Sequence, residues 1–257
     1  MWFSPMCIIS QQAVAEALRN RIIWLAGLVL LLAFLAAEFL GEVVLTEARE
    51  FQAAIAAGIL RLSAVIVMAT FVVTASLREW QDKGVELILS LPVPRWVYLT
   101  GKLLGFSFVG SLIAAACTAM AFVYAPVDQA FLWGISLGCE LVIVVAFCLL
   151  CLLTFAQVTS ALFAVAVFYV AARSIDAVVL MTSNPISQTG SAAQGFIDLL
   201  VAGLAFLLPN LSRFADMEWL VYHTGTWGEL GPIVLQTFIY VVLIASASLF
   251  DLYRKAL

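Results

Sequence analysis

The sequence predicts an all-α, polytopic membrane protein. Six transmembrane helices are expected, with an N-terminal interfacial helix, a short cytoplasmic helix between spans two and three, and a re-entrant outer segment before the last span. Three observations carry this reading. The 257 residues are 65% hydrophobic and only 11% charged, against about 45–50% apolar and about 25% charged in an ordinary soluble domain. Mean hydropathy is +1.12. The apolar residues fall in runs of about 20, the length a helix rising 1.5 Å per residue needs to cross a hydrocarbon core about 30 Å thick. A soluble enzyme and a disordered chain are both excluded as readings, because neither has a way to keep so much apolar surface from water. A net charge of −4 and a pI near 5.0 speak against a nucleic-acid partner. One His and five Cys leave little material for a metal site, and none is expected.

Residues 1–21 carry Glu16 and two Gln ahead of a full-length apolar run, so they read as a retained segment rather than a secretion signal. Ala13, Val14, Ala17 and Leu18 share one helical face, and Gln12, Glu16 and Arg19 share the other. That pattern predicts a helix lying in the membrane surface. The spans are expected at 22–41, 53–77, 103–124, 130–153, 159–181 and 230–250. A seventh run, 196–209, has 14 residues. It is too short to cross and fits a re-entrant element within an outer segment covering 182–229. The whole chain, 1–257, reads as one membrane domain.

Lys and Arg set the orientation. With the N-terminus inside, the inner segments hold Arg19, Arg21, Arg78, Lys83, Arg95, Lys102, Arg254 and Lys255, and the outer ones hold only Arg49 and Arg213. Both termini are therefore expected in the cytoplasm. Making 196–209 a full span would put the basic C-terminus outside.

Residues 78–102 form the longest inner stretch and hold half of the inner basic residues. Within 79–91, Trp80, Gly84, Leu87, Ile88 and Leu91 share one helical face, and Glu79, Lys83, Glu86 and Ser90 the other. Pro92 ends the helix, because proline lacks a backbone donor and clashes with the preceding turn. A helix lying across the membrane face with a charged outer side suits docking to a soluble partner. An ordinary interfacial loop is the plainer alternative.

The run Glu79, Gly84, Glu86, Leu87, Leu89, Ser90, Leu91, Pro92, Val93, Arg95, then Gly101-Lys102, resembles the segment that joins spans two and three in type-2 ABC exporter permeases. There the pattern is E-x-G-T-L-E-x-L-L-S-L-P-V-S-R followed by G-K. Val85 stands where that pattern has Thr, and Pro94 where it has Ser. The run Leu208-Pro209-Asn210-Leu211-Ser212-Arg213-Phe214 is similar to a segment between spans five and six of many members. The resemblance implies a permease subunit that pairs with a second permease chain, as a homodimer or a related heterodimer, in the bacterial cytoplasmic (inner) membrane. It implies that residues 78–100 couple the permease to a separate ATPase subunit, with Glu79, Trp80, Lys83, Gly84, Glu86, Leu87, Pro92 and Arg95 as the coupling residues. No G-x-x-x-x-G-K-S/T phosphate loop is present in the chain. The chain is thus expected to be a transport subunit rather than an enzyme, with no cofactor of its own and ATP and Mg bound by its partner.

Four charged residues fall within spans: Arg61 in span two, Glu140 in span four, and Arg173 and Asp176 in span five. Each costs about 2.5–3.5 kcal/mol at a helix centre on insertion scales. Arg61 and Glu140 lie at similar depths from the outer ends of their spans, roughly 12 and 15 Å at 1.5 Å per residue. Arg173 and Asp176, three apart, can pair within one helix. Mutual pairing that orients the bundle is the favoured reading, and lining of a transport path the alternative. Cys148-x-x-Cys151 sits mid-span without a nearby His and reads as packing. Gly101-x-x-x-Gly105 and Gly134-x-x-x-Gly138 permit close helix approach. His223 has no nucleophile constellation around it. A stand-alone channel or carrier, or an intramembrane enzyme, remains the rival function. Against it stand the lack of an internal repeat and the single clearly intramembrane Asp.

Overall fold

The computed structural model describes residues 3–19, 21–43, 48–81, 94–155, 157–183, 192–216 and 218–254. Among them there is no strand. The helices are α1 (Phe3–Arg19), α2 (Arg21–Val43), α3 (Ala48–Gln81), α4 (Arg95–Ala121), α5 (Val127–Thr154), α6 (Val158–Ser183), α7 (Ala192–Leu207), α8 (Glu218–Val221) and α9 (Leu230–Arg254). Five segments are long and apolar enough to cross a membrane: Gln52–Glu79, Arg95–Ala121, Val127–Thr154, Val158–Thr182 and Trp227–Arg254. This is the make-up of a multi-pass membrane protein. The expected first span coincides with α2, whose described apolar stretch is the shorter Gly27–Phe39. α7, at 16 residues, is roughly 24 Å long at 1.5 Å per residue, less than the hydrocarbon thickness.

Span two runs past its expected bounds at both ends, and the helix of span three begins at Arg95, eight residues before the expected 103. α3 is one helix of 34 residues that runs on through Glu79 and Trp80 to Gln81. Nothing in Ser76-Leu77-Arg78-Glu79 breaks a helix, so Glu79 closes a long helix rather than opening a separate one. The rest of the expected surface helix, including Lys83, Gly84, Glu86, Leu87 and Pro92, lies outside the described residues. The chain resumes at Pro94, whose extended backbone (φ −66°, ψ 143°) leads directly into α4.

α5 is the central helix. Its apolar window is 67% buried and that of α3 61%, against 22% for both α6 and α9. α5 packs on α3, α4, α6 and α9, and α2 lies along α3. Phe71 and Phe106 meet edge to face with centroids 5.7 Å apart, and Phe147 stacks on Phe168 at 3.8 Å. Trp133 is wholly enclosed. Such rings supply much of the buried area that holds the helices together.

α1 docks on α4. Its buried stripe is Ile9, Ala13 and Ala17, spaced four apart, so the apolar face expected to meet lipid is in large part taken up by protein. The facing surface is Gly101-x-x-x-Gly105. A β-carbon at Gly105 would lie 2.7 Å from Ala13 Cβ and 2.8 Å from the Ser10 carbonyl oxygen. Gly134 makes the same kind of approach to Thr118, joining α5 to α4. Gly105→Val should therefore push α1 off α4, at a cost of about 1–3 kcal/mol. Faster amide exchange across 3–19 is the expected readout. Gly27→Ala is the control: no described residue lies within 4 Å of that β-carbon, so the helix should lose nothing and gain up to about 1 kcal/mol of propensity.

Candidate functional site

Three of the four span charges, Arg61, Glu140 and Arg173, meet at one place, with partners that the charges alone do not announce. Arg61, 2% exposed on α3, reaches into the centre of the bundle. Its Nη1 donates to Glu140 Oε2 at 2.7 Å and to the Phe214 carbonyl at 2.7 Å. Its Nη2 donates to Ser136 Oγ at 3.0 Å and lies 3.5 Å from the Trp133 carbonyl. The guanidinium carbon sits 5.1 Å from the centre of the Trp133 ring, within cation–π range. Ser136 has one hydrogen to give, to the Trp133 or the Phe214 carbonyl, each 2.8 Å away. The second carboxylate oxygen of Glu140 accepts from Tyr169 Oη at 2.9 Å. The fully buried Glu140 is thereby satisfied at both oxygens. This meets the requirement for charge in a dry interior, where an ion must be paired and hydrogen-bonded.

Local sequence explains the placement. Trp133, Ser136 and Glu140 lie at i, i+3 and i+7 on one face of α5, and Tyr169, Arg173 and Asp176 at i, i+4 and i+7 on one face of α6. The two faces meet, and α3 brings Arg61 between them.

Arg173 and Asp176 do not pair with each other. Arg173 Nη1 lies 3.7 Å from Glu140 Oε1, an ionic contact beyond hydrogen-bond range, and has no hydrogen-bond partner among the described residues. Asp176 instead accepts from Asn210 Nδ2 at 2.5 Å and from Ser212 Oγ. A carboxylate held by neutral donors from a neighbouring loop has no call on an arginine on its own helix. The Leu208–Phe214 run is thus a clamp. Asn210 and Ser212 grip α6, the Leu211 amide donates to the Ala172 carbonyl at 3.2 Å, and the Phe214 carbonyl receives Arg61. Leu211 and Phe214 are fully buried between these contacts.

A second charged cluster marks the far end of α3. Lys102, 4% exposed near the start of α4, pairs with Glu79 at 2.5 Å, and Glu16 of α1 lies 3.8 Å away. Tyr98 Oη lies 3.4 Å from Glu79. Burial pushes the Glu16 carboxyl above its ordinary value; Lys102 opposes this, Glu79 reinforces it, and Arg78 opposes it more weakly. One lysine therefore ties three helices together. Arg95 donates to the Leu252 carbonyl at 2.7 Å and lies 5.6 Å from the Tyr253 ring, capping the C-terminal end of α9 with a cation. Of the expected coupling residues, then, Glu79 and Arg95 are engaged within the chain. Trp80 lies in the last turn of α3, and Lys83, Gly84, Glu86, Leu87 and Pro92 lie outside the described residues.

Sequence reasoning missed Ser136, Tyr169 and the Phe214 carbonyl. The first two had a readable signal, each standing four residues before a span charge on the same helical face. The carbonyl had none. Cys148 and Cys151 are free, buried thiols within the α5 core. Among the described residues, no group of His, Cys, Asp or Glu is arranged to hold a metal ion. Neither a protein-family model nor a curated protein matches the chain.

Proposed function

We propose that the chain is the membrane-spanning permease subunit of an ATP-driven exporter of the type-2 ABC kind. Two copies, or one copy and a related chain, enclose a path across the bacterial cytoplasmic membrane. A separate cytoplasmic ATPase drives them, binding ATP and Mg itself. In this reading α2 is the first of six spans, α7 dips into the outer leaflet without crossing, and both termini are cytoplasmic.

The observation that carries the proposal is the run from Glu79 to Lys102, with its charged and apolar helical faces, its Leu91-Pro92-Val93-Pro94-Arg95 stop and its Gly101-Lys102 restart. The structure adds mechanical sense. The ends of that run are anchored at Glu79 to Lys102, close to α1, and at Arg95 to the end of α9. A push delivered between the two anchors would reach several helices at once. Nucleotide binding to the ATPase would bias inward-open against outward-open arrangements, and the segment would convey that bias.

The test is the mass of the detergent-purified complex. The expected particle holds two permease chains and two ATPase chains, since six helices enclose little room for a path and twelve enclose more. A particle with one permease chain would overturn the dimeric path.

A further inference from the structure

The intramembrane cluster is unevenly satisfied, and the imbalance falls on one residue. Two guanidiniums, Arg61 and Arg173, face one carboxylate, Glu140. Arg61 takes one oxygen of Glu140 and Tyr169 takes the other, and Arg173 has only a 3.7 Å ionic contact with that carboxylate. The nearest other acid on the same face, Asp176, is held by Asn210 and Ser212. Arg173 is left with a positive charge and, among the described residues, a buried Nη1 without a hydrogen-bond acceptor. It is also the reachable one: its side chain is 30% exposed, whereas those of Arg61 and Glu140 are enclosed. The surface onto which it opens is apolar. Phe163, Val167 and Val170 stand exposed along α6 before it, and Val178 after it.

We propose that Arg173 binds the anionic group of an amphiphile, a phosphate or carboxylate carried on a hydrocarbon tail, with the tail laid along the exposed face of α6. The physical case is a sum of needs. A cation partly exposed in an apolar setting is costly unless a counter-charge covers it. A guanidinium with free donors matches a phosphate or carboxylate in geometry. The apolar α6 surface favours a ligand that brings its own hydrocarbon. That the ligand is the exported cargo rests on the permease reading; that Arg173 binds it does not.

The experiment titrates the purified full-length chain in neutral detergent, read by native mass spectrometry. The probes are phosphatidylglycerol, phosphatidylcholine with the same acyl chains, and glycerol 3-phosphate as a tail-less anion. Wild type should bind phosphatidylglycerol about tenfold or more tighter than phosphatidylcholine, the scale of one charge-assisted contact. Arg173→Gln should erase that preference, and because it also gives up the 3.7 Å ionic contact with Glu140 its melting temperature is read separately. Arg173→Lys should keep most of the preference. Equal binding of both lipids by wild type would overturn the proposal, as would undiminished selectivity in Arg173→Gln. Loss of the preference in Arg173→Lys as well as in Arg173→Gln would show that the charge is not what binds and would overturn it too. Glycerol 3-phosphate binding as tightly as the lipid would remove the amphiphile. Co-purification of the ATPase is scored separately, so failure of the lipid site and failure of the permease reading give different results.

Discussion

Glu140→Leu should be the most damaging single substitution in the bundle, with a loss of about 3–5 kcal/mol, the usual cost of removing one partner from a buried ion pair. The carboxylate balances Arg61 at 2.7 Å and Arg173 at 3.7 Å. Without it two guanidiniums share an apolar interior with no counter-charge, and Tyr169 loses its acceptor. Arg61→Leu should cost less, because Arg173 is already in place to move onto the freed oxygen. The double variant Arg61→Leu, Glu140→Leu should lose less than Glu140→Leu alone. It removes both enclosed charges together; Ser136 and the Phe214 carbonyl lose a donor, Tyr169 loses its acceptor and Arg173 its ionic contact, at about 1–3 kcal/mol for a group left unsatisfied. Thermal unfolding of the four proteins in detergent gives the coupling directly as a double-mutant cycle. Additive losses from the two single substitutions would show that the pair is not the unit described here.

How far this cluster could be read from sequence depends on which contacts are local. Arg61 and Glu140 were visible as charges in apolar runs, and their similar depth followed from counting along two helices. The faces of α5 and α6 were equally readable, since Ser136 precedes Glu140 and Tyr169 precedes Arg173 by one turn. What periodicity cannot report is which faces meet. The Arg173–Asp176 spacing invited a local pair, and a loop 34 residues away took Asp176 instead. The same limit applies to α1. Its Ile9, Ala13 and Ala17 stripe is equally suited to lipid or to the glycine-lined face of α4, and only the packing decides. The bounds of α3 failed for a different reason. The hydropathy signal ends where the charges begin at Arg78, but the helix does not, because Arg, Glu, Trp and Gln all continue a helix. In the Leu208–Phe214 run the motif was legible and its structural job was not, since a backbone carbonyl leaves no trace in the residue sequence.

On the exporter reading proposed above, reversing the charge at Lys83 or Glu86, or placing proline at Leu87, should abolish ATP-driven export, or cut it at least about tenfold, while the chain stays folded and expressed. The scale is that of a buried interfacial charge pair broken on one side, about 2–5 kcal/mol, where about 1.4 kcal/mol is already tenfold. The proline acts differently, removing a helix hydrogen bond and clashing one turn back, at about 3 kcal/mol or more. Choosing these positions matters. Glu79 and Arg95 belong to the same segment, but Glu79 holds Lys102 at 2.5 Å and Arg95 holds the Leu252 carbonyl at 2.7 Å. Substituting either one loosens the chain itself, and a fall in export would then have two causes. Lys83 and Glu86 are expected on the outward face of the segment, where substitutions usually change stability by no more than about 0.5 kcal/mol. The expected pattern is an unchanged melting temperature for Lys83→Glu and Glu86→Lys with weakened ATPase binding, and a lowered melting temperature for Glu79→Lys. Export and ATPase capture at wild-type levels in both charge-reversed proteins would place the coupling contact elsewhere in the chain.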